Sequence, residues 1–215
     1  MKFILLIVGL SISISLYAQK EVRTFYDQQK TKIREQYYVA QDQQTINGKY
    51  RSFYENGNVM LEGNFADGER SGEFTEYHEN GNIARKLQYV NGVKHGPVEV
   101  FNEEGKSVQK AWYDNDLLTD SVRIYYSDGN LRKETTFING KPDGLVREYR
   151  PNGKVKREIT YQNGKPNGVS RTFFESGKIE TEANYRDGVM TGFFKSYYSN
   201  GQLQTVSTMA DGAKN

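Results

Sequence analysis

Residues 144–168 read GLVREYRPNGKVKREITYQNGKPNG, and the same phrase returns at a constant spacing along the chain. A fixed period of this kind is typical of repeat proteins, in which each unit buries its apolar surface against its neighbours. The units follow one another without insertion or deletion, and their first residues are Gly48, Gly72, Gly96, Asp120, Gly144, Gly168 and Gly192. The fold class can therefore be predicted from the repeat alone, without reference to any single residue.

Two further glycine columns mark the turns. The first of them follows Asn or Asp in most units and consists of Gly57, Gly81, Gly105, Gly129, Gly153, Gly177 and Gly201. The other consists of Gly68, Gly92, Gly140, Gly164, Gly188 and Gly212, with Asp116 in the place that lacks glycine. An Asn-Gly or Asp-Gly pair between strand-like runs predicts a β-hairpin, because these residues accept a positive φ. Each unit is therefore predicted to be a two-stranded hairpin.

Three apolar columns flank these turns. One is always aromatic and consists of Phe53, Tyr77, Phe101, Tyr125, Tyr149, Phe173 and Tyr197. The second is aliphatic (Val59 to Leu203, with Ser107 as its exception) and the third runs from Phe65 to Met209. Such a pattern predicts an all-β fold, an elongated single-layer array of stacked antiparallel β-hairpins over residues 48–215, preceded by a degenerate capping unit within residues 19–47. About 14 strands spaced by ~4.8 Å give a rod of roughly 65 Å, in which we expect the aromatic column to seal one unit against the next.

The pairing of the two strands within a unit has two solutions. A two-residue loop at Asn152-Gly153 places Arg147 opposite Glu158, and the same register pairs opposite charges in other units. Alternatively, Pro151 suits the second position of a type I turn, and a glycine bulge after it would shift the pairing by one residue. The third unit favours the charge-matched register, because its pair is inverted to Glu99 and Lys110 and yet stays complementary.

Residues 1–18, MKFILLIVGLSISISLYA, differ from the rest of the chain. Lys2, an apolar run and the small residue Ala18 are typical of a secretory signal peptide, with cleavage before Gln19. The alternative is an uncleaved anchor, but the apolar run is shorter than the ~20 residues that span a bilayer. We therefore predict export to the periplasm, the cell envelope or the medium.

The residues resemble the MORN repeat family, and more closely its bacterial variant, the YwqK-type antitoxin repeat proteins. The resemblance rests on an aromatic residue, Asn-Gly, an aliphatic residue, a second aromatic residue and then Asn-Gly or Asp-Gly with GKPNG or GVKHG, over residues 48–215. Residues 24–47, TFYDQQKTKIREQYYVAQDQQTIN, look like a degenerate unit that lacks both turn glycines. The resemblance implies a scaffold for protein interactions, with phospholipid binding or neutralisation of a toxin as further expectations.

Residues for catalysis are scarce. The chain has no cysteine and only two histidines, His78 and His95, in different units and at different repeat positions. The loop YDNDLLTD, residues 113–120, holds three carboxylates that could bind a hard cation, but its spacing is not that of an EF-hand, and aspartate tolerates turns almost as well as glycine. We therefore predict no enzyme activity, no cofactor and no metal site, and expect no small-molecule substrate.

A surface for recognition is the remaining candidate. Several units carry a second aromatic residue next to the aromatic column, namely Tyr54, Tyr126, Phe174 and Tyr198. Adjacent strand residues point to opposite faces, so rings beside Arg123, Arg150 and Arg171 are predicted to form a contact surface. The alternative is that they pack across strands within the array.

The net charge and its distribution limit the classes of partner that the chain can bind. The net charge is +2, with cations and anions interspersed, so no basic stripe indicates nucleic acid. Three functions remain: a non-catalytic exported scaffold for a protein partner, an antitoxin or immunity-like binder of a toxin, and a module that binds a membrane lipid or the envelope surface.

Overall fold

The structure, a computed structural model, describes residues 19–210 and 213–214 and places no helix among them. The predicted signal peptide, residues 1–18, lies outside the described residues, so its cleavage and the export that it implies stay predictions. No helix in the described part is long and apolar enough to span a membrane.

Eighteen strands follow one another in the described chain. They are β1 (Lys20–Phe25), β2 (Ile33–Val39), β3 (Ile46–Phe53), β4 (Val59–Ala66), β5 (Glu69–Tyr77), β6 (Ile83–Val90), β7 (Val93–Lys94), β8 (Gly96–Phe101), β9 (Ser107–Asp114), β10 (Leu117–Tyr125), β11 (Leu131–Ile138), β12 (Lys141–Tyr149), β13 (Val155–Gln162), β14 (Lys165–Phe173), β15 (Ile179–Arg186), β16 (Val189–Tyr197), β17 (Leu203–Ala210) and β18 (Ala213–Lys214). Consecutive strands pair antiparallel, except that β7 and β8 both pair with β6. The predicted single-layer array of hairpins is confirmed.

Successive strands are joined alternately by two kinds of turn, and each kind lies along one of the two long edges of the sheet. At the first edge, the Gly153 amide donates to the Arg150 carbonyl at 2.9 Å and the Arg150 amide donates to the Lys154 carbonyl at 2.8 Å. This is a short loop with a type I turn, and Gly153 takes the left-handed conformation with φ 79°. At the second edge, Asn163 and Gly164 have φ 51° and 84° between the opposed residues Gln162 and Lys165, as a type I′ turn requires.

Both solutions for the pairing within a unit are partly right. The turn is the type I turn with a glycine bulge, and it places Tyr149 opposite Val155. The strand then carries one extra residue, Lys156, after which Arg147 lies opposite Glu158. The charge-matched register is therefore confirmed for the body of the hairpin, and a bulge reconciles it with the turn.

The core lies on one side of the sheet, here called the inner face. Its most buried positions form two columns that oppose each other across each hairpin, for example Val146 and Ile159, each 5% exposed, or Phe74 and Leu87, 0% and 3% exposed. The pairing contains bulges both within and between units, and bulges of this kind bend a strand locally.

The aromatic column, which we expected to seal one unit against the next, is not among the most buried positions. The aromatic column, from Phe53 to Tyr197, is only half-buried and shares the opposite side of the sheet with the cross-strand charges. The true core columns mix large, small and polar residues, which hides them from a search for uniform hydrophobicity. Gly63, for instance, stands opposite Tyr50, and a Cβ there would lie 2.6 Å from the Phe74 ring, so a missing side chain at one position accommodates a large ring at another.

Candidate interaction surface

The side of the sheet opposite the core, here called the outer face, carries a row of charges. Within the units, ion pairs join Arg147 to Glu158 at 2.7 Å and Arg171 to Glu182 at 2.8 Å, between partners that are directly opposite. The same position holds Arg51 with Glu62, Arg123 with Glu134 and the inverted pair of Glu99 with Lys110. These groups are partly exposed, so each pair stabilises the fold by only a few tenths of a kcal/mol to about 1 kcal/mol.

The row continues from one unit to the next. Glu134 lies opposite Arg147, Glu158 opposite Arg171 and Glu182 opposite Lys195, so the signs alternate across the strands from β10 to β16. We call this row the charge ladder. Hydrogen bonds from Arg123 and Arg147 to Glu134 and Glu158 raise the pKa of both guanidinium groups, which keeps them charged.

The charge ladder has one break. Because the third unit carries its charges in inverted order, Lys110 of β9 lies directly opposite Arg123 of β10. No other directly opposed pair in the described strands carries two charges of the same sign.

The aromatic column lies on the outer face beside the charge ladder. The Tyr77 hydroxyl donates to Glu62 Oε1 of the preceding unit at 2.6 Å. Partial burial, and next the hydrogen bond to Glu62, raise the pKa of Tyr77 to about 12. Tyr77 thus links neighbouring units at the outer face, where the rings of the column are half-buried.

The residues next to the column mostly bind the following unit. The hydroxyls of Tyr54 and Tyr126 donate to the carbonyls of Tyr77 and Tyr149, each at 2.7 Å. In the same repeat position, Arg150 Nη2 donates to the Phe173 carbonyl at 2.7 Å and His78 Nε2 lies 3.0 Å from the Phe101 carbonyl. Each of these side chains closes one contact between units, 23 residues apart in sequence.

The predicted contact residues thus lie in different surroundings. Phe174 is half-buried, whereas Tyr198 is 52% exposed. Arg123 and Arg171 belong to the charge ladder. Contact of these residues with a partner stays a prediction, but the structure does not bring them together into one site.

An exposed apolar cluster was missed from the sequence. Trp112 of β9, Leu117 of β10 and Ile138 of β11 lie on three neighbouring strands at the outer face and are 44%, 49% and 55% exposed. Trp112 is the only tryptophan of the chain, and Leu117 lies in the loop that replaces two glycines by aspartate. These two departures from the repeat were the available signal.

A second exposed apolar group lies in the last unit. Phe193, Leu203 and Val206 are 55%, 52% and 46% exposed. Val206 lies opposite Lys195, at the position that holds glutamate in four other units. The outer face therefore becomes more apolar towards this end.

The aspartates of the acidic loop, residues 113–120, have a structural role in the turns of the backbone. Asp116 and Asp120 take positive φ values of 64° and 57° in the place of glycine, and the Lys94 amide donates to Asp116 Oδ1 at 2.9 Å. His95 Nδ1 lies 3.1 Å from Asp114 Oδ1. Within the part of the chain that the structure describes, no three His, Asp or Glu side chains cluster as metal ligands.

Stacked two-stranded units with a charged outer face and an apolar inner face define a β-hairpin repeat protein. The family model of the MORN repeat variant matches residues 46–67, 70–91, 121–139, 142–163, 166–187 and 190–211, together more than half of the sequence. The chain belongs to the MORN repeat family in this variant form, a family that is generally non-catalytic. The matches leave out residues 92–120, which contain the whole of the third unit, residues 96–119.

Other comparisons add little. No curated protein matches the sequence. A chain in a solved structure described as "Crystal Structure of TcdB2-TccC3-Cdc42" is 9% identical, with 87% of this chain and 13% of that chain covered and a TM-score of 0.21. This chain thus spans about an eighth of that one, and a likeness of this size carries no argument.

Proposed function

We propose that the protein is an exported, non-catalytic scaffold that binds a protein partner through the outer face of its array. The observation that carries this proposal is the exposed apolar cluster of Trp112, Leu117 and Ile138, which lies beside the charge ladder on the outer face. Large apolar side chains that are exposed together in a polar surrounding are typical of interaction sites. The repeat architecture supplies a rigid support for such a site, since each unit is hydrogen-bonded to the next.

Export is supported by residues 1–18, whose charge, apolar run and small terminal residue are those of a signal peptide. The absence of cysteine agrees with a fold that depends on packing and strand pairing rather than on disulfides. An antitoxin-like role, as in the YwqK-type proteins, would be one form of this function, with an exported toxin as the partner.

Lipid binding is the second candidate, and one hollow favours it. The hollow is lined by Tyr126, Arg132, Lys133, Glu148, Tyr149 and Lys156. Three cations and a single carboxylate around two rings suit an anionic headgroup. Flotation of the protein with vesicles of anionic lipid, compared with vesicles of neutral lipid only, tests this alternative.

The proposal is tested by affinity capture after cross-linking in intact cells, with the full chain tagged at its C-terminus. A double variant, Trp112→Ser with Ile138→Ser, is the control, because it removes the apolar cluster and leaves the inner face unchanged. We expect an envelope or secreted protein that is enriched with the wild type and lost with the variant. Equal recovery with both proteins, or no enriched protein at all, would contradict the proposed function.

A further inference from the structure

The third unit departs from the repeat in several ways at once. It is the unit that the family model leaves unmatched, and Asp116 and Asp120 replace column glycines at its end. It holds the single tryptophan, Trp112, and it carries the inverted ion pair of Glu99 and Lys110. These departures meet on the outer face, where β9 adjoins β10.

The inverted ion pair leaves two cations face to face. Lys110 and Arg123 are directly opposite across β9 and β10, and 54% and 49% of their side chains are exposed. Each has its own carboxylate on the far side, Glu99 at 3.2 Å and Glu134 at 2.8 Å, and none lies between them. Like charges directly opposite each other destabilise a sheet. A carboxylate from outside that lies over this pair would contact both cations and relieve the repulsion.

The surroundings leave room for such a group. A hollow on the same face is lined by Lys106, Ser107, Lys110, Tyr125, Asp128 and Gly129. Two of its three charged residues are cations, so an anion is the expected occupant of the Lys110 side.

Apolar side chains lie at a defined distance from the two cations. Trp112 follows Lys110 by two residues on β9 and therefore lies about 7 Å further along the same face. Its opposite residue is Thr119 of β10, and Leu117 and Ile138 lie nearby on the same face. An extended peptide repeats the same distance, because its residues i and i+2 point to one side and lie about 7 Å apart.

We propose that Lys110, Arg123, Trp112, Leu117 and Ile138, here called the junction surface, bind an extended peptide segment of a protein partner with a carboxylate side chain and a large apolar side chain two residues apart. The carboxylate lies between Lys110 and Arg123, and the apolar side chain lies against Trp112. This inference rests on the proposed function and specifies its partner. Charge complementarity selects the acidic residue, and the exposed rings and methyl groups select the apolar one.

The test uses an exchange that moves the two opposed cations. In the variant Glu99→Lys/Lys110→Glu, composition and net charge are unchanged, but glutamate lies opposite Arg123 and a lysine lies opposite Lys86 instead. The like-charged pair thus moves from β9 and β10 to β6 and β8, away from Trp112. A circular dichroism spectrum identical to that of the wild type shows that the variant is folded.

Random dodecapeptides displayed on phage are selected on the full-length wild-type protein, and binding of the enriched peptides is followed by the fluorescence of Trp112. We expect enrichment of an acidic residue two positions from a large apolar one, and at least tenfold weaker binding by the exchange variant and by Ile138→Ser. Enriched peptides without this spacing, or with unchanged affinity for both variants, would overturn the junction surface. They would leave the scaffold function intact, since the test of that function is capture of a partner in cells.

Discussion

The two faces of one sheet vary in opposite ways along the array. On the inner face the residue types change from unit to unit, but burial is kept, as when Phe74 fills the space that Gly63 leaves open. On the outer face four units carry the same Arg–Glu pair, the second and the last unit each have one uncharged residue in it, and the inverted pair of the third unit brings Lys110 opposite Arg123. The central units thus keep the inner face buried with different residue types, whereas the outer face is where a change of sequence alters what the protein presents to a partner.

The largest expected effect separates the two faces by stability. Phe74→Ala removes a ring that is fully buried on the inner face, and we expect a loss of about 3–5 kcal/mol in the free energy of unfolding. Tyr149→Ala removes a half-buried ring of the outer face and should cost clearly less. Urea unfolding followed by far-ultraviolet circular dichroism measures both. An equal loss for the two variants would abolish the distinction between the faces.

A charge exchange in a regular unit should destabilise more than the same exchange in the third unit. Arg171→Glu/Glu182→Arg keeps one ion pair but places a glutamate opposite Glu158 and an arginine opposite Lys195. We expect a loss of about 1–2 kcal/mol at low salt, from two new like-charged pairs and the two attractive pairs that they replace. Glu99→Lys/Lys110→Glu only moves the like-charged pair and should change the stability by less than about 0.5 kcal/mol. Thermal unfolding measures both variants. If Glu99→Lys/Lys110→Glu lowered the unfolding temperature more than Arg171→Glu/Glu182→Arg, the alternation of charges would have no effect on stability.

The links between units can be compared at two tyrosines in the same repeat position. Tyr54→Phe removes the hydrogen bond to the Tyr77 carbonyl, and we expect a loss of about 1 kcal/mol. Tyr198→Phe is the matched control, because the Tyr198 ring is 52% exposed. The free energy of unfolding of this variant should equal that of the wild type. If denaturant midpoints of both variants equal that of the wild type, the hydroxyls do not hold the units together.

The smallest expected effect is a dependence on alkaline pH. The pKa of Tyr77 is raised to about 12 from the ordinary 10.0, so the folded state favours the neutral hydroxyl. Its contribution to stability is complete below pH 10 and is lost as the pH rises from 10 to about 12. Tyr77→Phe should therefore flatten the fall of the unfolding free energy in this window. An unchanged slope in a series of denaturant titrations would assign the alkaline loss to other groups.

The constant period and the turn glycines were enough to predict the hairpin array, because glycine, asparagine and aspartate recur at the turn positions that need a positive φ. The charge-matched register was also predictable, since the inverted pair of Glu99 and Lys110 kept its complementarity. The core columns were not, because positions such as Thr135, Ser170 and Ala183 read as surface residues, and only the register of the strands shows that they lie on the buried inner face. For the junction surface the sequence offered only the departures at Trp112 and Leu117 as a signal, since its five residues come from three strands and only their register unites them.

The most direct test is photo-crosslinking in intact cells with benzoylphenylalanine at position 138 or 162. Ile138 and Gln162 occupy the same place in consecutive units, both are exposed, and they differ in their distance from the break in the charge ladder. The account predicts a cross-linked partner from position 138 and none from position 162. Cross-links of equal yield from both positions, or from position 162 only, would contradict a recognition site at the third unit of the outer face.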